Sequence, residues 1–258
     1  MIHFVGAGSG APDLITVRGQ KQIKNADVII YAGSLVNPAL LEERKPECQV
    51  YDSAKMTLEE TLEVMYEAEK QGKDCVRLHT GDPCLYGAIR EQMDALDEKG
   101  ICYDNTPGVS SFCGAAAALN LEYTLPDVSQ SVIITRMAGR TSVPERESIQ
   151  SFAAHHATMV IFLSTGMLKE LSERLMEGGY EPETSAAIVY KATWPDEKRV
   201  LCTVNTLAQA AAENQISKTA LIIVGDVVAG CDYSRSKLYD PEFTTEFRQG
   251  KQKIESIK

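Results

Sequence analysis

The segment RLHTGDPCLYG, residues 77–87, places several side chains capable of chemistry directly after an apolar run. Histidine could act as a base and cysteine as a nucleophile, while glycine lets a ligand approach the main chain closely. Each side chain also has a purely structural interpretation. His79 adjoins the apolar run as a partly buried histidine, Asp82 can cap the helix that follows, and Cys84 has no His or Cys at metal-ligand spacing. The pattern favours ligand binding by the main chain of residues 80–82, with His79 and Cys84 as bystanders.

A glycine-rich segment, VGAGSGAPDLITVRG, follows the first apolar run at residues 5–19. Gly6, Gly8 and Ala11 match G-x-G-x-x-A, the fingerprint of dinucleotide binding. This match raises an NAD-dependent oxidoreductase as one hypothesis. Two features count against it. Asp13 brings negative charge to the place where a helix start would bind a pyrophosphate, and Ala32 follows the second strand where an acidic residue should bind the ribose. The glycines favour a loop that leaves room for another ligand at the end of a strand.

A third turn lies in TPGVSSFCGAAAALN, residues 106–120, and leads into a helix of small residues. Ser110 or Ser111 can cap that helix, and the alanines allow it to pack closely on a sheet. The sequence has no Gly-x-Ser-x-Gly motif, which disfavours a serine hydrolase. These loops, two of which follow predicted strands, favour a catalytic small-molecule site over a non-catalytic binding module.

The composition indicates a globular protein with an acidic balance: 258 residues, 44% of them hydrophobic, and a net charge of −10. That charge argues against DNA or RNA binding, and no apolar run reaches the ~18 residues that span a bilayer. The seven cysteines are odd in number and include no Cys-x-x-Cys pair, which predicts a reducing compartment and mostly buried thiols. The strand-like start MIHFVG leaves no room for a signal peptide. We therefore expect a cytoplasmic protein without a nucleic-acid or membrane partner.

Short apolar runs rich in β-branched residues predict strands that alternate with helices. A capping box at Thr57 and Glu60 predicts a helix that ends by Gly72, and leucines at helical spacing predict another that ends at Gly178. The first three of the predicted strands are expected to be buried and parallel. The predicted strands are Ile2–Val5, Asp27–Tyr31, Cys75–Leu78, Ser131–Thr135, Met159–Leu163, Ala186–Tyr190, Val200–Val204 and Ala220–Val224.

The segment LNLEYTLPDVSQ, residues 119–130, has little periodicity and contains a proline, so we place a domain boundary there. Strands alternate with helices on both sides of it, which predicts two α/β domains. These domains comprise residues 1–120 and residues 121–240. The polar tail, residues 241–258, is expected to fray.

Taken in order, these segments resemble the tetrapyrrole (precorrin) methyltransferase family over residues 2–240. The resemblance is carried by VGAGSGAPDLIT, ADVIIYAGSLV, RLHTGDPCLYG, TPGVSSF, FLSTGM, AIVYKATWPDE and LIIVGDVV. Gly-Asp-Pro is the most specific single piece, and the ordered set is more specific than any one motif. The resemblance implies two α/β domains with an S-adenosylmethionine cleft between them, a homodimer, and methyl transfer to a tetrapyrrole with S-adenosylhomocysteine as the other product.

The resemblance also assigns site residues by position, with the first glycine loop facing the tetrapyrrole. The cofactor contacts fall on Thr80, Gly81, Asp82, Leu85, Tyr86, Ser110, Ser111 and Phe112, and on Met167 and Ala192 of the second domain. A substrate rich in carboxylates needs guanidinium groups, because arginine binds carboxylates in a bidentate fork. The alternative interpretations are solvated surface charge for the arginines and a simple turn at Ser34. The expected substrate contacts are Gly8, Ser9, Asp13, Arg18, Ser34, Arg136 and Arg140.

Within the family, YAGSLVNP, SAKMTLEE and TRMAGRTSVPERES resemble the precorrin-4 C11-methyltransferases of cobalamin biosynthesis. The uroporphyrinogen-III methylases have an aspartate where this chain has Ala32, which removes the general-base candidate of those enzymes. Lys55 receives no role, and no catalytic residue or metal ligand is assigned. Methylases that act at C20 or C17, or in the diphthamide pathway, are alternatives, and the substrate is either cobalt-containing or metal-free. Catalysis is expected from alignment of a ring carbon with the methyl group, which intramolecular models value at ~7–11 kcal/mol.

Overall fold

The computed structural model describes residues 1–230 and 232–251. Cys231 and residues 252–258 of the predicted polar tail lie outside the described residues. The chain forms two compact units, the first comprising Met1–Asn120 with Val189–Arg199, and the second comprising Leu121–Ile188 with the described residues from Val200 onward. Each unit combines a sheet with helices, which confirms the predicted α/β class. The expected second domain differs from this division because Val189–Arg199 belong to the first unit.

The sheet of the first unit has five strands, and each strand pairs in parallel with its neighbours. They are β1 (Ile2–Gly6), β2 (Val28–Tyr31), β3 (Gln49–Asp52), β4 (Cys75–His79) and β5 (Tyr103–Thr106). Their order across the sheet is β3-β2-β4-β1-β5. This confirms the three strands predicted here. The sequence does not predict β3 and β5, because QVYD and YDNT are edge strands too polar to be recognised by their hydrophobicity.

Helices cover both faces of this sheet. They are α1 (Val17–Asn25), α2 (Leu58–Lys70), α3 (Arg90–Glu98) and α4 (Ser111–Leu119). Phe4 shares a core with Met65 of α2 and Leu96 of α3. Val5, the next residue, shares a core with Ile23 of α1 on the other face. The connections that leave β1 and β4 therefore run to opposite faces although the two strands are adjacent, and such a switch point is where open α/β sheets bind ligands.

The start and end of α2 follow the predicted local signals. Thr57 Oγ1 accepts a hydrogen bond from the Glu60 N–H at 3.2 Å, and a Glu60 carboxylate oxygen accepts one from the Thr57 N–H at 2.8 Å. Gly72 takes a left-handed φ of +66° just beyond the last turn. Both the capping box and the glycine stop are confirmed.

The second unit carries a mixed sheet with the order β6-β7-β10-β8-β9, where β6 is Val132–Arg136, β7 Thr158–Phe162, β8 Ser185–Tyr190, β9 Lys198–Thr203 and β10 Ala220–Val224. All five predicted strands are present, with bounds shifted by at most two residues. The β6 and β7 strands run parallel, and β7 and β10 run antiparallel. The helices are α5 (Ile149–Ala153), α6 (Leu168–Glu177) and α7 (Leu207–Glu213). Helix α6 buries Leu171 and Leu175 and ends at Gly178, as predicted.

The described cysteines are free, but the expectation that they are mostly buried is wrong. Only Cys48 and Cys75 are buried, whereas Cys84, Cys102 and Cys113 are exposed. Burial raises the pKa of Cys75 to about 12. Within the described residues, none of the helices has both the length and the apolar surface that crossing a bilayer requires.

Candidate active site

The glycine-rich loop and the Gly-Asp-Pro loop pair with each other through their main chains. The Ala7 N–H donates to His79 O at 2.7 Å, which continues the β1–β4 ladder. Beyond it, the Gly81 N–H donates to Gly8 O at 2.9 Å and the Gly8 N–H donates to Gly81 O at 3.2 Å. The two most informative motifs of the sequence therefore meet at the switch point between β1 and β4. The N–H and C=O groups of Gly81 both form hydrogen bonds within this junction.

The loop after β5 joins the same junction at a distance that only glycine permits. A Cβ on Gly6 would lie 2.6 Å from the Gly108 Cα, and a Cβ on Gly108 would lie 2.2 Å from the Gly81 carbonyl oxygen. A Cβ on Gly81 would lie 3.4 Å from the Ser111 N, so the backbones of these two predicted cofactor residues are neighbours. The close approach of these loops thus explains Gly6 and Gly108, whereas Gly81 is favoured by its left-handed φ of +60°.

Asp82 links two of these loops through its carboxylate. Its Oδ1 accepts from the Cys84 N–H and its Oδ2 accepts from the Gly108 N–H, both at 2.8 Å. Burial by itself raises the pKa of Asp82, but hydrogen bonds from the Cys84 thiol and from these two N–H groups outweigh it, and the pKa lies below its usual value. The carboxylate is therefore ionised at neutral pH and holds the Gly-Asp-Pro loop against the loop after β5.

His79 and Arg77 point into the core beneath the loops. His79 is 4% exposed and stacks on Phe4 with ring centroids 6.2 Å apart. Burial and the nearby Arg77 charge lower the pKa of His79 to about 3, so this histidine is neutral. Arg77 donates from Nε to Gln92 at 3.2 Å and from Nη1 to Ile30 O at 3.3 Å, and burial lowers its pKa to about 10. These contacts are internal, which agrees with the interpretation of His79 as a bystander.

The remaining residues predicted near the cofactor lie around these loops. Thr80 is exposed, and its hydroxyl donates to Leu35 O at 2.8 Å, which ties the loop after β4 to the loop after β2. Leu85 is half-buried, and Tyr86 is 46% exposed with a left-handed φ of +56°. Ser110 is buried at the N-terminus of α4, and Ser111 and Phe112 form its first turn. All of these residues lie at the carboxyl edge of the first sheet.

Ala192 was expected in the second domain, and the structure corrects this. It is buried in the segment Val189–Arg199, which belongs to the first unit. The chain leaves β8 for this segment and returns to the second sheet at β9. The neighbouring Thr193 accepts a hydrogen bond from the Ala11 N–H at 3.0 Å and makes another with Ser9 Oγ at 3.0 Å. Sequence reasoning missed Thr193, although it sits next to the single tryptophan within AIVYKATWPDE.

The residues predicted for the substrate differ in their surroundings. Gly8 lies in the loop junction, and Ser9 is 7% exposed and bonded to Thr193. Asp13, Arg18 and Ser34 are exposed after β1 and β2. Helix α1 begins only at Val17, ten residues beyond Ala7, and its N-terminus is capped by Thr16, which accepts from the Gly19 N–H at 3.1 Å. The glycine loop therefore does not open directly onto a helix start, which removes the dinucleotide geometry.

Three predicted residues belong to the second unit. Arg136 donates from Nη1 to Met137 O and Thr141 O, at 3.1 and 3.3 Å, and from Nη2 to Ser142 O at 2.7 Å. This guanidinium was expected to bind substrate carboxylates, but it organises the 137–142 loop instead, because its donors are directed to main-chain carbonyls. Arg140 is exposed on the same loop. Met167 lies beside Gly139 of this loop, since a Cβ on Gly139 would be 3.3 Å from the Met167 Cε.

Lys55 lies at the carboxyl end of β3, with its Nζ 3.8 Å from the Asp52 carboxylate and 83% of its side chain exposed. In the part of the chain that the structure describes, His, Cys, Asp and Glu form no group of three that could hold a metal ion. The arrangement supplies main-chain groups, hydroxyls and one ionised carboxylate at a sheet edge. Such a site can bind and orient ligands.

Comparison with known proteins places the chain among enzymes of one kind. The model of the family described as Tetrapyrrole (Corrin/Porphyrin) Methylases matches residues 1–208. The chain is 53% identical over 253 residues to the cobalt-precorrin-4 C(11)-methyltransferase of Methanocaldococcus jannaschii, which covers 98% of both chains. It is 43% identical over 249 residues to the precorrin-4 C(11)-methyltransferase of Pseudomonas aeruginosa, with 96% of this chain and 99% of the other covered.

Solved structures agree with these relatives. The X-ray structure of a cobalamin biosynthetic enzyme, cobalt precorrin-4 methyltransferase, matches with a TM-score of 0.86 and 45% identity, covering 88% of this chain and 95% of the other. The uroporphyrin-III C-methyltransferase of Thermus thermophilus, solved with S-adenosyl homocysteine, matches with a TM-score of 0.73 and 25% identity, covering 88% and 92%.

Proposed function

Because this chain belongs to the tetrapyrrole (corrin/porphyrin) methylase family, we propose that it transfers the methyl group of S-adenosylmethionine to C11 of precorrin-4 or cobalt-precorrin-4 in cobalamin biosynthesis. The relatives named for the C11 reaction cover nearly the whole chain at 43% and 53% identity. The neighbour solved with S-adenosyl homocysteine supports the choice of cofactor. One relative is named for the cobalt-containing substrate and the other for the metal-free substrate, so the experiment below tests both.

The junction of Gly8 with Gly81 carries this proposal. A methyl transfer needs two ligands side by side, and the two loops assigned to them are joined by reciprocal hydrogen bonds of 2.9 and 3.2 Å. The junction lies at the switch point of the sheet, where strand carboxyl ends leave room for ligands. The backbones of these loops also pack closely, since a Cβ on Gly6 or Gly108 would overlap neighbouring main-chain atoms. Closely packed loops can hold two reactants in a fixed mutual orientation.

The residues around Gly81 fit S-adenosylmethionine. Thr80 and Ser111 bring hydroxyl groups, and Leu85 and Tyr86 bring apolar surface for an adenine ring. Asp82 places an ionised carboxylate in this loop, and negative charge favours a sulfonium cation. Thr80–Asp82, Leu85, Tyr86 and Ser110–Phe112, with Ala192 of the same unit, would therefore hold the cofactor.

S-adenosylmethionine held by the residues around Gly81 would supply a methyl group on a sulfonium, an electrophile that leaves neutral S-adenosylhomocysteine when a ring carbon takes the methyl group and the macrocycle gives up a proton. The loops would orient the attacking carbon, which is the main task in a reaction whose nucleophile is the π-system of the macrocycle. The exposed thiol of Cys84 could compete with the ring carbon as an acceptor of the methyl group. The hydrogen bond from the Cys84 thiol to Asp82, with burial, raises the pKa of Cys84 to about 11, so this exposed thiol stays protonated at neutral pH and is a poor nucleophile.

Carboxylates of the tetrapyrrole require cations in an acidic protein. Arg18 on α1 and Arg140 in the 137–142 loop are exposed, so their guanidinium groups can meet a ligand. Arg136 acts on Arg140 indirectly, through the loop that it organises. Arg18 is therefore the arginine of the first unit proposed to bind the substrate, together with Gly8, Ser9, Asp13 and Ser34.

The direct test incubates the purified chain with S-adenosylmethionine carrying a ¹³C-methyl group and either cobalt-precorrin-4 or precorrin-4. Mass spectrometry measures the gain of one methyl group, and NMR locates the labelled carbon on the macrocycle. We expect the label at C11. Label at C17 or C20, or methylation of uroporphyrinogen III instead, would contradict the proposal. Calorimetry with S-adenosylhomocysteine and with NAD provides the cofactor test, and only the first is expected to bind.

Two glycine variants test the place of the cofactor. Gly81 has φ +60° and Gly72 has φ +66°, so Gly81→Ala and Gly72→Ala impose the same left-handed strain on alanine. Gly81 lies beside Ser110 and Ser111, whereas a Cβ on Gly72 meets nothing within 4 Å. We expect Gly81→Ala to weaken S-adenosylhomocysteine binding at least about tenfold and Gly72→Ala to leave it unchanged. Equal affinities of the two variants would place the cofactor elsewhere.

The remaining expectations also form part of the proposal. We propose a cytoplasmic location on the basis of free thiols on the surface, which suit a reducing compartment. We propose a homodimer on the basis of the family resemblance. Light scattering coupled to gel filtration gives the mass of the particle, and a mass near 28.3 kDa would show a monomer and contradict the homodimer.

A further inference from the structure

The segment Val189–Arg199, here named the connecting segment, makes specific contacts within the first unit. Its Thr193 hydroxyl accepts from the Ala11 N–H and bonds Ser9 Oγ, both at 3.0 Å. Its Trp194 covers Gly10, where an added Cβ would lie 2.1 Å from the indole Cδ1. The glycine loop is thus held over three consecutive residues by two neighbouring side chains.

Thr193 makes these contacts in an unfavourable backbone conformation. Its φ is +68°, a left-handed conformation that β-branched residues rarely adopt. The conformation is held from both sides, because the Thr193 N–H donates to a Glu197 carboxylate oxygen at 2.7 Å and the Trp194 N–H donates to Lys191 O at 3.0 Å. Asparagine or glycine would adopt this backbone more easily. Neither offers a hydroxyl at the same place, so the strain points to a task for that hydroxyl.

Helix α4 and the loop after β2 complete the surroundings of the glycine loop. A Cβ on Gly114 would lie 2.8 Å from the Ser9 Cβ and 3.2 Å from the Thr193 Cγ2, so α4 packs against both residues. Arg199 donates from Nη1 to Ala118 O at 2.9 Å, which fixes the other end of the connecting segment on the same helix. Asn37 donates from Nδ2 to Gly10 O at 2.8 Å. The side chain of Thr193 lies between the loop and the helix, where its position decides that of Ser9.

We propose that Thr193 is a positioning residue that fixes the glycine loop, and with it Ser9, for the tetrapyrrole. The proposal deepens the proposed function and rests on it, because the loop is assigned to the substrate there. Ala192, assigned to the cofactor, is the residue before Thr193 in the chain. One hydroxyl therefore links the substrate loop directly to a residue of the cofactor site.

Three variants separate the hydroxyl from the shape of the side chain. Thr193→Val keeps the β-branched shape and removes both hydrogen bonds. Thr193→Ser keeps the hydroxyl and loses only the methyl group. Ser9→Ala removes one of the two hydrogen bonds from the loop side, and it replaces Thr193→Val as the probe if the valine variant does not fold.

Two measurements report on the loop without any need for turnover. Hydrogen exchange of the Ala11 amide, resolved by NMR, reports on its bond to the Thr193 hydroxyl. Fluorescence of Trp194, the single tryptophan, reports on the packing against Gly10. We expect Thr193→Val to speed exchange at Ala11 about tenfold and to shift the emission, with Thr193→Ser within about twofold of the wild type.

Kinetics provide the measurement that a merely structural role would not change. We expect Thr193→Val to raise KM for the tetrapyrrole about tenfold while calorimetry shows S-adenosylhomocysteine affinity within about twofold of the wild type. Thr193→Ser should restore KM. The double variant Ser9→Ala with Thr193→Val should raise KM by less than the two single effects combined, because both substitutions remove the same hydrogen bond.

The outcomes distinguish this inference from the proposed function. Wild-type protein that methylates neither precorrin-4 nor cobalt-precorrin-4 contradicts the proposed function. The Ala11 exchange rates then still test whether Thr193 fixes the glycine loop. Active wild type with unchanged exchange and KM in Thr193→Val overturns the positioning role. Equal losses in Thr193→Ser and Thr193→Val overturn it as well, because the hydroxyl would then have no part in them.

Discussion

Replacing Asp82 by alanine tests whether its carboxylate holds two loops of the site together. The side chain accepts hydrogen bonds from the Cys84 N–H and the Gly108 N–H, each at 2.8 Å. Alanine removes both acceptors and leaves the Gly108 N–H beside the crowded Gly6 backbone. We expect the loop after β5 to loosen and the free energy of unfolding of the first unit to fall.

The magnitude follows from the two bonds. A hydrogen bond to a charged group contributes about 1.5–3 kcal/mol, so two bonds set an upper limit of about 3–6 kcal/mol. Asp82 is only partly buried, so water can replace part of this interaction. We expect a loss of about 2–4 kcal/mol for Asp82→Ala. Asp82→Asn keeps one acceptor without the charge and should lose about half as much.

Urea unfolding followed by tryptophan fluorescence measures this loss in the right unit, because the single tryptophan, Trp194, belongs to the first unit together with Asp82. The midpoint should fall at an unchanged slope. Asp13→Ala is the matched control, since Asp13 is exposed in a short turn after the glycine loop and should change stability by no more than about 0.5 kcal/mol. A loss for Asp82→Ala no larger than that of the control would refute the linking role.

The pH dependence gives a second test with a defined sign. Hydrogen bonds hold the pKa of Asp82 below its usual value in the folded protein. Its stabilisation is therefore complete above the unfolded pKa of about 3.9 and is lost as the pH falls through the lower folded pKa. The difference between wild type and Asp82→Ala should be constant from pH 7 to about 5 and should shrink below about pH 4. A difference that grows on acidification would contradict the assignment.

Three further variants and one control test the packing of Gly6, the charge state of His79 and the cap of α2. Gly6→Ala should lower the urea midpoint strongly, since its Cβ would lie 2.6 Å from the Gly108 backbone, whereas Gly166→Ala, whose Cβ meets nothing within 4 Å, should not. Burial lowers the pKa of His79 to about 3, so the stability of the wild type should fall as the pH drops from about 6.5 toward 3. His79→Gln should flatten that pH dependence and retain methyl transfer. A His79→Gln variant that binds both ligands and cannot methylate would give His79 a catalytic role. Thr57→Ala should cost about 1 kcal/mol in thermal or urea unfolding through loss of the capping box, and no loss would show that tertiary packing alone sets the start of α2.

The local signals of the sequence were sufficient for most elements of the fold. The Thr57 capping box and the Gly178 stop were confirmed, because capping depends on hydrogen bonds between residues three or four apart. Buried strands were recognised by continuous apolar runs. The edge strands Gln49–Asp52 and Tyr103–Thr106 were not, because they are held by pairing with a neighbouring strand rather than by a buried face.

The sequence by itself determined the class of the protein and the motifs that matter, since ordered motifs such as Gly-Asp-Pro can be read without coordinates. Only the tertiary structure showed that Gly8 binds Gly81, that Arg136 serves its own loop, and that Ala192 and Thr193 belong to the first unit. In each case the partner of a residue is set by the folding of the chain or by the direction of a side chain. Spacing along the chain carries no record of such contacts, because a hydrogen bond between residues 184 apart, as from Ser9 to Thr193, exists only after the sheet has formed.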